Sequence, residues 1–331
     1  MSNATIYDVA GVAKVSLATV SRVLNNPDKV KPETRERVLR VIKELGYRPN
    51  AIARGLASRK TTTVGIIVSD LSRASVAQML GGISDIARNY KYSIKLFTIN
   101  DASDVEDTLR DVVAEQVDGV LYLNDELESK ELDIVIGMLN NNNIPIVLTN
   151  VCLPDPLIYQ VSIDYKKAGY EACMKLINEG RKNIYLLSTI RKYSVNDLKE
   201  EGYELAMKEA NLESHIFRTS GDTAINKKQF ESYFDGVDVD GVIAVRDSIS
   251  VSFMNVELNK GIKVPEDISI IGFQNTKYAV LARPNLTCID IPVYDIGAVA
   301  MRLLTKLMNG EEVAEKKIYL PHRIINRDST K

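Results

Sequence analysis

Apolar and polar positions alternate along most of the chain with two periods, which predict strands and helices in turn. From residue 61 onward, short apolar runs are separated by segments with the 3.6-residue period of amphipathic helices. The runs are VGIIVS, YSIKLFTI, DGVLYLN and IPIVLTN, followed by NIYLLS, SHIFRT, DGVIAV and SIIGF. Strands that alternate with helices in this way predict parallel sheets with helices on both faces.

The number of strands predicts two α/β lobes, since about 270 residues exceed one ordinary open-sheet unit and suit two. We place the first lobe at 61–160 and 291–321 and the second at 161–290 and 322–331. The helix that begins at Tyr294 and the last strands are expected to return and link the lobes. A ligand cleft is expected between the lobes, at the carboxyl ends of the strands.

The first 48 residues show a different pattern, that of small helices with start and stop signals. Thr5 occupies an N-cap position, Asp8 can complete a capping box, and Ser16 can cap a second helix. A third helix is expected to begin at Pro32 and to stop at Gly46. Two short helices buttressed by a third predict a helix-turn-helix, whose second helix enters the major groove of DNA. The positions expected to point inward are Ile6, Val9, Ala10, Ala13, Val20, Val23, Leu24, Val38, Ile42 and Leu45.

Charge separates this head from the rest of the chain. The whole sequence carries 42 Lys and Arg against 44 Asp and Glu, whereas residues 1–60 hold 12 against 5. A head of net charge +7 therefore precedes a body of net charge −9. A basic head on an acidic body indicates a module that binds a polyanion. A solvated basic surface is the alternative, but it explains the sign of the charge and not its confinement to sixty residues.

Several protein classes are disfavoured by what the sequence lacks. There is no secretory apolar region, no run approaching a membrane span and no lipidation start, so we expect a cytoplasmic protein. Cys152, Cys173 and Cys288 lack C-x-x-C spacing, which indicates buried free thiols. Catalytic motifs are missing, and His215 and His322 are the only histidines. We therefore expect neither an enzyme nor a metal or cofactor site.

Three runs of residues in the N-terminal part of the chain resemble those of a known family. The runs YDVA, VSLATVSRVLN and GYRPNAIARGLAS together resemble the LacI/GalR family of bacterial transcription regulators, and the likeness continues to the last residue. The resemblance implies a periplasmic-binding-protein type I core of two doubly wound parallel-sheet subdomains. It also implies an N-terminal, all-α helix-turn-helix domain at 1–48, a hinge helix at 49–60, and a homodimer on a pseudo-palindromic operator in double-stranded DNA.

The same resemblance implies how DNA is read. Leu17, Ala18 and Arg22 are expected at base edges, which suits an arginine bidentate to guanine and small apolar contacts with thymine methyl groups. The hinge is too short to be a stable helix alone, so we expect it to fold only on DNA. There Leu56 would enter the minor groove as a wedge, with packing onto the core as its alternative role. The remaining expected contacts are Tyr7, Ser16, Thr19 and Asn25 on phosphates, and Asn50 and Ala53 beside the wedge.

Further runs resemble the carbon catabolite control branch of this family. They are YRPNAIARGLASRKTTTVG, YKY, RPNLT, YDIGAVAMRLLTK and LPHRI. The resemblance implies that the serine-phosphorylated phosphocarrier HPr acts as a corepressor. The implied docking residues are Tyr294, Asp295, Arg302 and Lys306, with Tyr90 and Arg323 nearby.

Helix geometry is compatible with this docking role. At 100° per residue, Arg302 and Lys306 each lie about 20° from Asp295, on opposite sides, so the three residues form one stripe. An arginine and a lysine one turn apart make a clamp for a phosphoserine. From geometry alone, an ordinary solvated helix face is the alternative.

The inter-lobe cleft has an unusual set of expected lining residues. Many sugar-responsive family members carry an aspartate where this sequence has an amide, which does not accept paired sugar hydroxyls as a carboxylate does. The expected lining residues are Asp70, Arg73, Lys199, Asp247 and Gln274, whose alternative role is hydrogen bonding between the lobes. A phosphorylated metabolite, weak modulation or no ligand are all left open. The second functional hypothesis is an operon regulator that responds to a sugar or sugar phosphate in this cleft.

Overall fold

The computed structural model describes residues 4–47, 61–99, 102–123 and 129–331. These residues fall into two compact units that divide between Thr61 and Thr62. The hinge expected at 49–60 lies outside the described residues, together with Asn50, Ala53 and Leu56.

The smaller unit forms the expected helices, which begin and end at the expected signals. Thr5 caps α1 in a capping box with Asp8, Ser16 caps α2, and Gly46 ends α3 in the left-handed conformation with φ of 62°. The turn after α1 is made by Lys14, a non-glycine residue with φ of 52°. The helices are α1 (Ile6–Ala13), α2 (Leu17–Asn25) and α3 (Pro32–Leu45).

The core of this unit contains one buried residue that was not expected there, and some expected residues are only partly buried. Val9, Val20 and Val38 are fully buried, as expected. On α3, however, Val41 is buried, while Ile42 and Leu45 pack only partly against the core. Because Val38 and Val41 are three residues apart, they share the helix face that meets α1 and α2. Sequence periodicity alone did not distinguish this face from the adjacent one.

The larger unit contains the two lobes, and the expected α/β class is confirmed. In the described part of the chain each lobe has a six-stranded sheet, ordered β11-β5-β4-β3-β1-β2 and β12-β10-β9-β8-β6-β7. The strands are β1 (Thr63–Val68), β2 (Ser93–Thr98), β3 (Gly119–Tyr122), β4 (Ile146–Thr149), β5 (Gln160–Ile163), β6 (Ile184–Thr189), β7 (His215–Thr219), β8 (Gly241–Ala244), β9 (Ser269–Phe273), β10 (Thr287–Asp290), β11 (Lys317–Leu320) and β12 (Arg323–Ile325).

Helices connect these strands and cover both sheets. The described α-helices of the larger unit are α4 (Ala74–Asn89), α5 (Val105–Ala114), α6 (Ser129–Asn141), α7 (Tyr165–Asn178), α8 (Ser194–Glu209), α9 (Thr223–Tyr233), α10 (Asp247–Asn259), α11 (Lys277–Leu281) and α12 (Val293–Met308). All described strand pairs are parallel except β10 with β12. The carboxyl ends of the parallel strands, and hence the following helix N-termini, meet at one edge of each sheet.

The chain crosses between the lobes more than once. Strand β5 belongs to the first sheet, so the first crossing follows Ile163 rather than the 160/161 boundary expected from the sequence. The reason is register, because β5 pairs with β4 through Leu148 and Gln160 and is buried on both faces. Strand β11 joins the first sheet and β12 joins the second, although Leu320 and Arg323 are separated only by Pro321 and His322.

Close helix pairs stabilise each lobe in the same way. In the first lobe, a Cβ on Gly82 of α4 would overlap the carbonyl of Tyr294 on α12, and one on Gly297 would overlap that of Met79. In the second lobe, Gly169 of α7 and Gly202 of α8 make an equivalent reciprocal contact with backbone. Glycine therefore lets the helix axes approach more closely than any side chain would allow. Within the described residues no helix is long and apolar enough to cross a membrane.

Candidate nucleic-acid interface and effector surfaces

The N-terminal end of α2 presents a short exposed face. The hydroxyl of Ser16 accepts a hydrogen bond from the amide of Thr19 at 3.2 Å, which fixes where the helix begins. Leu17, Ala18 and Arg22 are exposed, and Tyr7 on the preceding helix is 70% exposed. Leu17 and Arg22 are not part of the buried core, so their side chains are available for binding. The side chain of Asn25 lies outside the described part of the structure.

A second exposed face is formed by α4 and α12 in the first lobe. Its predicted stripe is exposed as expected, while Ile296, Leu303 and Leu304 on the opposite side of α12 are buried. The exposed members of the stripe are Tyr294, Asp295, Arg302 and Lys306. Tyr90, which ends α4, is 52% exposed. We call this face the α4–α12 surface.

Hydrogen bonds order one end of the α4–α12 surface and leave its cations available. The hydroxyl of Tyr294 donates to Asp85 of α4 at 2.6 Å, and this hydrogen bond raises the pKa of the tyrosine. In contrast, neither Arg302 nor Lys306 makes an ion pair or hydrogen bond with any residue that the structure describes. Arg323 lies in the other lobe, on β12, where its Nε is 2.9 Å from Asp290. Asp290 immediately precedes the segment that leads into α12.

The cleft between the lobes has a volume of about 590 Å³. Arg73, Lys199 and Gln274 line it, as expected from the sequence. Asp70 and Asp247 do not belong to its lining. Asp70 instead accepts hydrogen bonds from Ser72, which lower its pKa. Both carboxylates were expected to line the cleft, but Asp70 accepts hydrogen bonds from the neighbouring Ser72 and Asp247 from the distant Thr276.

Asp247 is buried behind the cleft with 1% of its surface exposed. Its Oδ2 accepts hydrogen bonds from the amide and hydroxyl of Thr276, at 2.6 and 2.9 Å, whereas its Oδ1 has no hydrogen-bond partner. Burial raises its pKa to about 7. The carboxylate thereby anchors the turn that carries Gln274, a residue with φ of 104° in a region that non-glycine residues rarely adopt.

Cationic residues at the cleft were partly missed by sequence reasoning. Arg246 and Lys277 line it together with Arg73 and Lys199, and no carboxylate is among the described lining residues. Arg246 could have been found from its place just after β8, because the strand carboxyl ends meet at the cleft. Helices α4, α8 and α10 also begin at the cleft without a side-chain cap hydrogen bond. The N-termini of these helices add positive partial charge at the cleft.

The cysteines of the core are free, and two of them are buried. Burial raises the pKa of Cys173 and of Cys288 to about 12, which makes both thiols unreactive. Cys152 is only partly buried, so the expectation of a buried thiol is too simple at that position. Among the described residues, no group of His, Cys, Asp and Glu could hold a metal ion.

Sequence comparison identifies both units. Residues 5–50 match the model of bacterial regulatory proteins of the lacI family, and residues 159–330 match a periplasmic binding protein-like domain. The chain therefore belongs to the LacI family of DNA-binding transcriptional regulators. Within that family it is 41% identical to catabolite control protein A of Priestia megaterium, covering 99% of this chain and all of the relative. Because such relatives are transcriptional regulators, the expectation that the chain is not an enzyme is confirmed.

Solved structures agree with this assignment. The transcription regulator CcpA of Lactococcus lactis is 34% identical with a TM-score of 0.72, over 81% of this chain and 99% of that one. The lac repressor dimer bound to operator and the anti-inducer ONPF superposes with a TM-score of 0.90 over 99% of both chains. Its sequence identity is 23%, so it supports the fold alone.

Proposed function

We propose that the protein is a homodimeric catabolite control regulator that binds its operator tightly when serine-phosphorylated HPr occupies the α4–α12 surface. It would act in the cytoplasm, on a pseudo-palindromic operator. Leu17, Ala18 and Arg22 would read bases, Tyr7, Ser16, Thr19 and Asn25 would contact phosphates, and the hinge with Asn50, Ala53 and Leu56 would fold on DNA.

The observation that carries the corepressor proposal is the pair of unpaired cations on α12. Arg302 and Lys306 are four residues apart, a rise of about 6 Å, so both can reach one phosphate group. In the second lobe, α7 and α8 form the equivalent helix pair, but polar side chains of the two helices pair with each other. Lys166 pairs with Glu201 at 3.0 Å, and Tyr170 donates a hydrogen bond to Glu209 at 2.8 Å. The two helix pairs pack in the same way, but Arg302 and Lys306 of α12 make no such pairs with the residues that the structure describes. This difference favours a binding role for the α4–α12 surface.

The remainder of the α4–α12 surface suits a protein partner better than a free phosphate. Tyr90 and Tyr294 expose aromatic rings on this surface, and Asp295 offers a carboxylate to a cation of the partner. Aromatic rings surrounded by charges are typical of protein interfaces. We include Arg323 at the edge of this surface, because its partner Asp290 lies just before α12.

Exposed apolar residues near the mouth of the cleft support dimerisation with a second copy of this chain. They come from both lobes, and they are Leu71, Ile225, Tyr278, Val280 and Leu281, of which Leu281 is 70% exposed. Their neighbours Ser72, Thr223 and Lys277 line the cleft, so the residues share one side of the larger unit. A contact there would couple the arrangement of the lobes to the spacing of two DNA-binding units.

The corepressor proposal is tested by measuring operator affinity with serine-phosphorylated HPr, with unphosphorylated HPr and with neither. We expect only the phosphorylated form to raise the affinity. Arg302→Ala should abolish this response and keep basal DNA binding, whereas Arg110→Ala, a control on an exposed helix of the same lobe, should change neither. No enhancement by the phosphorylated form would refute the proposal.

A second candidate function is a response to a small anion in the cleft, favoured by its four cations and the absence of described lining carboxylates. A sugar phosphate matches this chemistry better than a neutral sugar. The first test is thermal unfolding in inorganic phosphate and in chloride at equal ionic strength, with wild type and Arg246→Gln. Stabilisation by phosphate that the variant loses would support the site, and equal melting in both salts would exclude it.

A further inference from the structure

One aromatic ring in the cleft connects the two lobes through arginines. Tyr193 precedes α8 in the second lobe and is 6% exposed. Its hydroxyl accepts a hydrogen bond from Nη2 of Arg73, which belongs to the first lobe, at 3.0 Å. The guanidinium carbon of Arg73 lies 5.1 Å from the ring centroid, and that of Arg246, on the second lobe, lies 4.9 Å from it. The ring thus contacts one cation from each lobe.

We propose that Arg73, Tyr193 and Arg246 form an anion-sensitive latch, which holds the lobes together when the cleft contains no anion and loosens when one enters. The latch goes beyond the corepressor hypothesis and is independent of it. Its release by an anion rests on the second candidate function.

The chemistry of the contact makes it suitable for a switch. A phenol oxygen is a neutral acceptor, whereas a phosphate group is ionised and can accept two parallel hydrogen bonds from one guanidinium. An anion that reaches Arg73 therefore competes directly with the hydroxyl of Tyr193. An anion that also pairs with Arg246 weakens the attraction between that guanidinium and the ring, because the negative charge offsets the field of the cation.

The position of the contact makes it suitable for holding the lobes. Arg73 immediately precedes α4, one of the two helices that form the α4–α12 surface. An ion pair of 3.4 Å between its Nε and Asp70 keeps its guanidinium oriented. Next to Tyr193, the hydroxyl of Ser194 accepts a hydrogen bond from the amide of Cys152 in the first lobe at 3.0 Å. Tyr193 and the first residue of α8, Ser194, therefore both contact the first lobe.

The amide of Cys152 provides a built-in reporter for the latch. Because its hydrogen bond crosses between the lobes, its exchange with deuterium depends on how often the lobes separate. The experiment is residue-level hydrogen–deuterium exchange on the full-length protein, comparing wild type with Tyr193→Phe, which loses the hydroxyl and keeps the ring. Tyr233→Phe is the control, because Tyr233 packs on Phe217 within the second lobe.

In chloride, we expect the Cys152 amide of Tyr193→Phe to exchange about fivefold faster than that of wild type, the change produced by losing one hydrogen bond worth about 1 kcal/mol. Amides in β1 and β6 should keep their protection, which distinguishes loosening from unfolding. Inorganic phosphate at equal ionic strength should speed exchange in wild type and add little in the variant.

Two results would overturn the latch. One is an exchange rate of the Cys152 amide that is the same in Tyr193→Phe, in Tyr233→Phe and in wild type. The other is a thermal shift that demonstrates phosphate binding while wild-type exchange stays the same in phosphate and in chloride. The latter result would leave the second candidate function standing, so failure of the latch and failure of that function are distinguishable.

Discussion

Asp247 should make the stability of the protein depend on pH in a direction opposite to that of most carboxylates. Its pKa is about 7 in the folded protein, against an ordinary value of 3.8 for an aspartate. Between these two values the folded state binds more protons than the unfolded state, so the contribution of this group to stability is greatest at low pH. It is lost as the pH rises through the folded pKa.

The size of the effect follows from the shift. About three pKa units at 1.36 kcal/mol each amount to roughly 4 kcal/mol over the whole range. About two of these three units lie between pH 5 and pH 8. Over that range the contribution of Asp247 to the free energy of unfolding therefore falls by roughly 2 to 3 kcal/mol. Asp247→Asn keeps an oxygen acceptor for the amide of Thr276 and removes the charge, so the variant should lose this pH dependence.

The assay is urea unfolding followed by far-ultraviolet circular dichroism, because the chain contains no tryptophan. Wild type and Asp247→Asn are compared at pH 5 and pH 8, with Asp133→Asn as an exposed control. The free energy of unfolding of Asp247→Asn should rise relative to wild type by roughly 2 to 3 kcal/mol from the lower to the higher pH. Parallel pH profiles for the two proteins would refute the argument that burial sets this pKa.

Three further substitutions test the other surfaces. Arg22→Ala should weaken binding to a selected operator by about 1 to 3 kcal/mol, measured by fluorescence anisotropy. The loss on scrambled DNA should be smaller, and equal losses on both DNAs would rule out base readout by Arg22. Gly82→Ala should lower the free energy of unfolding by about 1 to 3 kcal/mol, because the added Cβ would push α4 away from α12. The control is Gly137→Ala, whose Cβ would point into open space, so this variant should be as stable as wild type or slightly more stable. Leu281→Asp should shift sedimentation toward the monomer, and the equally exposed Leu157→Asp should not; an unchanged dimer would disprove that interface.

Much of the DNA-binding unit was predictable because its signals act over a few residues. The caps at Thr5 and Ser16 and the stop at Gly46 depend on hydrogen bonds and backbone angles within one helical turn. The exposed stripe of α12 was predictable for the same reason, since helix periodicity alone separates Arg302 from Leu303. These features needed no knowledge of distant contacts.

The cleft was less predictable because its residues come from strands far apart in the chain. Asp70 and Asp247 follow strands, as cleft residues do, but neither lines the cavity, because Asp70 accepts hydrogen bonds from Ser72 and Asp247 is held by Thr276, far away in the chain. Tyr193 and Arg246 were not expected at the cleft, and their proximity to Arg73 depends on how the lobes meet. Sequence spacing contains no information about that arrangement.

Local sequence therefore specifies the helices, the strands, the two-lobed α/β class and the family, because periodicity, capping and motifs are properties of neighbouring residues. Tertiary structure alone decides which charges find partners. Arg302 and Lys306 remain unpaired while Lys166 is paired, although all three are exposed on closely packed helices. It also decides that a tyrosine lies between arginines of two lobes, since burial and Coulomb interactions depend on distances that folding creates.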